Sequence, residues 1–196
     1  MQKGLFGRLF RKKSASATQE EAPAPSKGKK ALMVIAPINF RDEECFETKE
    51  ELENAGIEVT IASTVPGNKI GMLGGTAKAD IALDDAKIED YDALIFVGGS
   101  GAQIYFHDEN AQKMVQAAYD SGKVIAAICI APVLFAKTGI MDGKKATVWE
   151  DESNLAVLKD SRAMYTGKPV EVDRKIVTAN GPKAAREFGK AIAALL

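Results

Sequence analysis

Residues 31–36 read ALMVIA, six apolar residues with no polar interruption, which fits a strand buried on both faces. Runs of the same character recur at IEVTIAS (57–63), YDALIFV (91–97), KVIAAIC (123–129) and KKATVW (144–149). Between them the period changes. DEECFETKEELENAG (42–56) carries helical spacing, with Phe46, Leu52 and Ala55 inward and Gly56 as its stop. DENAQKMVQAAYDSG (108–122) is a helix opened by Asp108 and closed by Gly122, and APVLFAKTG (131–139) is a shorter one. NKIGMLGGTAKADIAL (68–83) holds a Gly-Gly pair between two extended pieces and reads as a hairpin or excursion. PVEVDRKIVTA (169–179) suggests a hairpin, and GPKAAREFGKAIAALL (181–196) a closing amphipathic helix. Strands alternating with helices imply a mostly parallel sheet covered on both faces, in one domain spanning residues 29–196.

The 28 residues before that domain differ. MQKGLFGRLFRKK places Leu5, Phe6, Leu9 and Phe10 at helical spacing with a basic opposite face, and SASATQEEAPAPSKGKK reads as a flexible linker. Residues 1–13 are either a short amphipathic helix touching an anionic membrane surface or a disordered basic tail, since two helical turns are marginal alone. A secretory signal would need a longer apolar centre.

Composition sharpens the picture in three places. The net charge of −1 over 196 residues divides into +6 on residues 1–30 and −7 on the rest. An acidic body argues against nucleic acid as a partner. Two cysteines, Cys45 and Cys129, without regular spacing argue for reduced thiols and a cytoplasmic location, peripheral to a membrane if the basic tail engages one. A single histidine, His107, leaves too few soft ligands for an ordinary zinc site, so no metal is expected.

The candidate chemistry lies at strand ends, where open parallel sheets collect ligands. Cys129 ends one buried run where a helix follows at once. Such an elbow lifts one side chain toward solvent and sets it near a helix N-terminus, which favours thiolate. A buried structural cysteine would also fit, because free Cys behaves as a small hydrophobe. Asp42, Glu43 and Glu44 likewise read either as ordinary partners of a helix dipole or as carboxylates at the sheet edge where Cys129 emerges. Cys45 is either a resolving thiol or an inert helix residue facing away from Glu44.

Four stretches, IAAICIAPVLFA, YDALIFVGGSGA, FRDEE before a helix and TANGP before the last helix, together resemble the ThiJ/PfpI superfamily, a class I glutamine amidotransferase-like group that includes PfpI-type intracellular proteases and the parkinsonism-associated deglycase. The resemblance covers about residues 30–196 in unbroken order. It implies an α/β flavodoxin-like three-layer sandwich with a nucleophile-elbow cysteine. It places the nucleophile on Cys129 and the elbow glutamate on Glu44, with Glu43 as the alternative one residue away. It places oxyanion donors on the N–H groups of Gly99 and Ile130. Gly98, Phe40, His107, Trp149 and Asn180 are further pocket candidates. The family glutamate is protonated and hydrogen-bonded to the sulfur, as a buried carboxyl can be.

Two departures from the family pattern bear on activity. Ile130 stands where family proteases carry a His directly after the Cys, and Trp149 aligns with the histidine of the deglycase-like branch. Without imidazole, peptide hydrolysis lacks its usual acid and base. The resemblance then implies a cofactor-independent cysteine enzyme acting on small reactive carbonyls, glyoxalase- or deglycase-like, and a homo-oligomer. The alternatives are a redox-responsive stress-protective protein, in which Cys129 oxidises selectively, or a binding module with an idle pocket. Peptidase or amidase action stands last.

Overall fold

The computed structural model describes residue 1 and residues 28–196; the expected tail helix lies outside the described residues. Its strands are β1 (Lys30–Val34), β2 (Ile38–Phe40), β3 (Glu58–Ser63), β4 (Gly67–Gly71), β5 (Thr76–Ala79), β6 (Ile81–Ala82), β7 (Ala93–Phe96), β8 (Val124–Ile128), β9 (Lys145–Ala146), β10 (Met164–Tyr165), β11 (Val170–Asp173) and β12 (Ile176–Ala179). The α-helices are α1 (Asp42–Asn54), α2 (Glu109–Asp120), α3 (Pro132–Lys137), α4 (Glu152–Asp160) and α5 (Ala185–Ala193). Seven strands form one sheet in the order β11-β12-β8-β7-β1-β3-β6, all parallel except the β11 edge. The fold is α/β, as the alternation implies, and flavodoxin-like, as the resemblance implies.

The sequence explains the centre of this sheet. Ala31, Leu32, Met33 and Val34 in β1 and Ile125 to Ile128 in β8 are wholly buried. Neighbouring registers set Ala127 of β8 beside Phe96 of β7 and Thr178 of β12, so small residues leave room for the large ring. From β1 the chain crosses to β3 on one side and returns through β7 to the other. Right-handed crossovers then place α1 and α2 on opposite faces. Accordingly α1 packs with α5, where the Thr48 hydroxyl donates to the Ala185 carbonyl at 3.2 Å, and α2 packs with α3. The direction of travel reverses between β1 and β7, which opens a crevice at their carboxyl ends.

Two expectations need correction, and one helix is additional to them. The buried stripe of α1 carries Glu44, Cys45, Thr48 and Leu52, which turns Phe46 outward, 39% exposed and edge-on to Phe40 with ring centroids 6.0 Å apart. The run 144–149 yields only the two-residue β9, paired with β10 outside the main sheet, because Thr147 donates its N–H to the Thr178 hydroxyl at 2.9 Å instead of extending a ladder. Helix α4 has no counterpart in the sequence reading. Its start is nonetheless written there: Asp151 is its N-cap and accepts from the Asn154 N–H at 2.8 Å. Among the described residues, no helix is long and apolar enough to cross a membrane.

Helix α2 follows its expected pattern, burying Ala111, Val115 and Ala118, with the Asp108 carboxylate accepting from the Ala111 N–H at 2.7 Å. Asp108→Ala should therefore lower unfolding free energy by about 1 kcal/mol in urea denaturation. An unchanged midpoint would show that the cap contributes nothing.

Candidate active site

Three chain segments reach the crevice at the switch point: the start of α1 after β1 and β2, the glycines after β7, and the turn after β8. Cys129 occupies that turn with φ of 62°, a left-handed conformation unusual for a side chain with a Cβ. Two backbone bonds fix it there. Its N–H donates to the Ala179 carbonyl at 2.9 Å, and its carbonyl accepts from the Trp149 N–H at 2.8 Å. The side chain is 8% exposed. Pro132 opens α3 three residues on, at a position where a missing N–H costs nothing.

Glu44 lies beneath the sulfur, fully buried. Its Oε2 accepts from the Gly98 N–H at 2.9 Å; Oε1 makes no aligned hydrogen bond, while the carboxyl rests against the Cys129 thiol. Gly98 is the spacer between them. A Cβ there would lie 2.5 Å from Cys129 Cβ and 2.7 Å from Glu44 Oε2. Gly99 is confined from the other side: its φ is +90°, and a Cβ would meet the Asn39 carbonyl oxygen at 2.4 Å. Its N–H and that of Ile130 both reach the Cys129 sulfur.

Burial lifts the Glu44 carboxyl from its ordinary 4.5 to about 8, against the opposing pull of Cys129, the Gly98 N–H and Arg41. Glu44 is therefore neutral at pH 7. Burial is also the first cause acting on Cys129, followed by the Glu44 charge; together they push the thiol up to about 12, although the Gly99 and Ile130 N–H groups pull it down. The thiolate expected from a nearby helix end is thus outweighed by desolvation. Helix α3 has only six residues and begins beyond the turn, so its dipole is weak at the sulfur. The second cause vanishes whenever Glu44 holds its proton. The pair is best described by the number of protons it shares.

The first turn of α1 organises the surroundings. Asp42 accepts from the Leu73 N–H at 2.8 Å and the Gly75 N–H at 2.7 Å, which fastens the β4–β5 hairpin over the helix start. Glu43 accepts from Arg41 Nε and Nη2 at 2.8 and 2.9 Å. The resulting cavity, about 320 Å³, has Cys129 and Gly99 at its base. Met72 of the hairpin, Ile130, Trp149 and Pro182 form its apolar wall. Arg41, Ser100, Gln103 and Asp151 supply polarity. The volume suits a small molecule.

The other sequence candidates fall in different places. Phe40 is wholly buried behind the site and lines no part of this cavity. His107 is exposed in the turn before α2, away from it, so it serves neither as acid nor as base there. Asn180 lines an adjoining cavity. Glu43 faces Arg41 rather than the sulfur. Cys45, fully buried with its thiol pushed up to about 12 by burial, cannot serve as a partner for Cys129. Arg41, Met72 and Asp151 were missed. Only Arg41 had a signal, its place in FRDEE. Among the described residues, no cluster of three or more His, Cys, Asp or Glu could hold a metal ion.

The model of the DJ-1/PfpI family matches residues 29–195. An uncharacterized protein of Methanocaldococcus jannaschii is 40% identical over 83% of this chain and 80% of its own. The deglycase PfpI of Pyrococcus furiosus is 28% identical over 81% of this chain and 90% of its own. Among solved structures, a ThiJ/PfpI domain protein from Brachyspira murdochii superposes with a TM-score of 0.82 at 30% identity, covering 86% of this chain and 96% of that one. Drosophila melanogaster DJ-1beta superposes with a TM-score of 0.74 at 29% identity, covering 84% of this chain and 88% of that one.

A carboxyl whose folded pKa exceeds its unfolded value binds more protons in the native state, so its contribution to stability is full below pH 4.5 and is lost as pH rises toward about 8. Glu44→Gln should flatten the stability–pH curve across that window. A slope in the variant as steep as in the wild type, followed by urea denaturation at several pH values, would assign the dependence to another group.

Proposed function

This chain belongs to the DJ-1/PfpI family, and from that premise we propose that it is a cofactor-independent enzyme converting small 2-oxoaldehydes or their adducts through Cys129 and Glu44. The observation that carries this reading is the buried carboxyl against the sulfur, with two backbone N–H groups converging on the same atom. Several relatives bear the name deglycase, including those of Pyrococcus furiosus and Thermococcus kodakarensis.

The reactive form is the pair with one proton removed. Glu44 as carboxylate takes the thiol proton, and the sulfur attacks the aldehyde carbon of a 2-oxoaldehyde. The carbonyl oxygen, received by the Gly99 and Ile130 N–H groups, takes the proton back from Glu44 and completes a hemithioacetal. Glu44, again a carboxylate, removes the proton from that carbon and returns it at the neighbouring one, while the hydroxyl proton passes from the first oxygen to the second as the first becomes a carbonyl, which converts the hemithioacetal into a thioester. Water then releases a 2-hydroxy acid and restores the thiol. Oxidation of one carbon balances reduction of the next, so no external redox partner enters. The apolar wall of Met72, Ile130 and Trp149 favours a small, weakly polar carbonyl end over a peptide.

Because the first proton leaves the pair near pH 8, methylglyoxal turnover should rise with pH through that value and level off above it. Cys129→Ala should remove turnover, and Glu44→Gln should lower it by roughly a hundredfold or more. Equal turnover by wild type and Cys129→Ser would end this reading.

A second reading rests on the exposure contrast between the two cysteines. Cys129 is slightly open to the cavity and surrounded by donors that would bind a sulfinate, whereas Cys45 is sealed. Mild peroxide should then oxidise Cys129 ahead of Cys45 in peptide mass spectra; the reverse order removes the redox role.

A further inference from the structure

A second cavity of about 450 Å³ adjoins the Cys129 cavity and shares Arg41, Trp149 and Pro182 with it. Its own lining adds Glu150, Asn180, Gly181 and Lys183. The indole of Trp149 stands between the two spaces and rests on Gly181: a Cβ at that glycine would lie 2.8 Å from Cε3 and 3.0 Å from Cζ3 of the ring. The backbone of Gly181 thus sets the position of the partition.

The polar groups around this second space are mostly donors. Lys183 is exposed and enters no ion pair among the described residues. Arg41 gives Nε and Nη2 to Glu43 and keeps Nη1. The Asn180 amide and the Trp149 indole N–H have no hydrogen bond among the described residues. The one acidic lining residue, Glu150, stands beside the Tyr165 hydroxyl. Donors that outnumber the single carboxylate of the lining, beside an ammonium outside any ion pair among the described residues, suit an anion.

We infer that the second cavity is an anion subsite, and that the preferred substrate is a carbonyl compound with a phosphate or carboxylate on a short arm. The carbonyl end would sit over Cys129 and the arm would pass Trp149 to reach Lys183 and Arg41. This inference rests on the carbonyl reading for the choice of substrate but not for the binding itself. The arm would also explain why a site with an apolar wall at its carbonyl end carries unneutralised donors a few residues away.

The chain contains one tryptophan, so its fluorescence reports on this partition alone. The experiment titrates the Cys129→Ala protein, which cannot form the hemithioacetal, with glycolaldehyde phosphate, succinic semialdehyde and neutral glycolaldehyde at constant ionic strength. The two anionic compounds should give a saturable change that glycolaldehyde does not, with affinity falling about tenfold in Lys183→Gln, recovering in Lys183→Arg, and weakening with added salt. A response to the phosphate compound alone narrows the class to phosphates, and a response to the carboxylate alone narrows it to carboxylates. Equal responses to charged and neutral compounds, or none to any, overturn the subsite. Turnover of methylglyoxal by the wild type separates the two ideas: binding without turnover removes the carbonyl chemistry and leaves the anion site, and turnover without selective binding does the opposite.

Discussion

Everything at the crevice depends on a carboxyl group held out of water beneath a sulfur. Glu44 is fully buried and receives one backbone N–H, far fewer bonds than a carboxylate needs to stay ionised in such a place. The folded chain meets this cost by keeping the proton. The proton then becomes a donor within reach of Cys129, and the pair holds a mobile hydrogen between two groups that cannot both ionise. The same burial that protonates Glu44 also raises the thiol, so the resting site is neutral. Charge enters only when one proton leaves, and the backbone N–H groups of Gly98, Gly99 and Ile130 stand beside the pair that would carry it. On the proposed chemistry, stability and reactivity run in opposite directions with pH, because a single ionisation weakens the fold and arms the sulfur.

The close approach is made possible by missing side chains. Gly98 has no room for a methyl group between the cysteine and the glutamate, and Gly99 has none against the β2–α1 turn, whose Arg41 N–H donates to the Gly98 carbonyl at 3.1 Å. Cys129 accepts a left-handed backbone to complete the meeting. Such strain persists where neighbours over-determine it, and here Ala179 and Trp149 bind the cysteine's N–H and carbonyl. The three acidic residues at the start of α1 then divide the labour. Asp42 fastens the hairpin that brings Met72 to the cavity, Glu43 orients Arg41, and Glu44 meets the sulfur.

Hydrophobic runs made most of this fold legible in advance. The central strands β1, β7 and β8 are continuous and apolar because both faces are covered, and helix caps such as Asp108 and Gly122 mark their own ends. Short elements were harder to read. In α4, ESNLAVLKD buries only Asn154 and Leu158, so its period is faint, and β9 is too brief to differ from a loop. In the site, Cys129 and Glu44 stood out by position at strand ends. Phe40 misled because its neighbour Arg41 lines the cavity while its own ring is buried in the core. Met72 was invisible because a hairpin brings it in from elsewhere, and no local pattern encodes which loop will cover a cavity. The thiol's elevation was hidden too, since sequence shows a helix start but not how much water the fold has excluded.

The absence of imidazole from the cavity also limits which reactions this geometry can serve. Ile130 and Trp149 line the cavity, while His107, the one histidine in the chain, lies outside it. One carboxyl buried under the Cys129 sulfur can move protons only among atoms within its own reach. Two adjacent carbons of an aldehyde bonded to Cys129 satisfy that restriction, because donor and acceptor sites stay next to the sulfur throughout. Cleaving a peptide does not, since one group must carry the proton from the sulfur to the leaving nitrogen, the task an imidazole performs in proteases, and Glu44 is buried beneath the sulfur. Asp151 reaches the cavity but is committed as the cap of α4, its carboxyl held below the usual range first by the Asn154 N–H, so it is a poor proton donor. The chemistry open to this site is therefore the kind that begins and ends on neighbouring atoms.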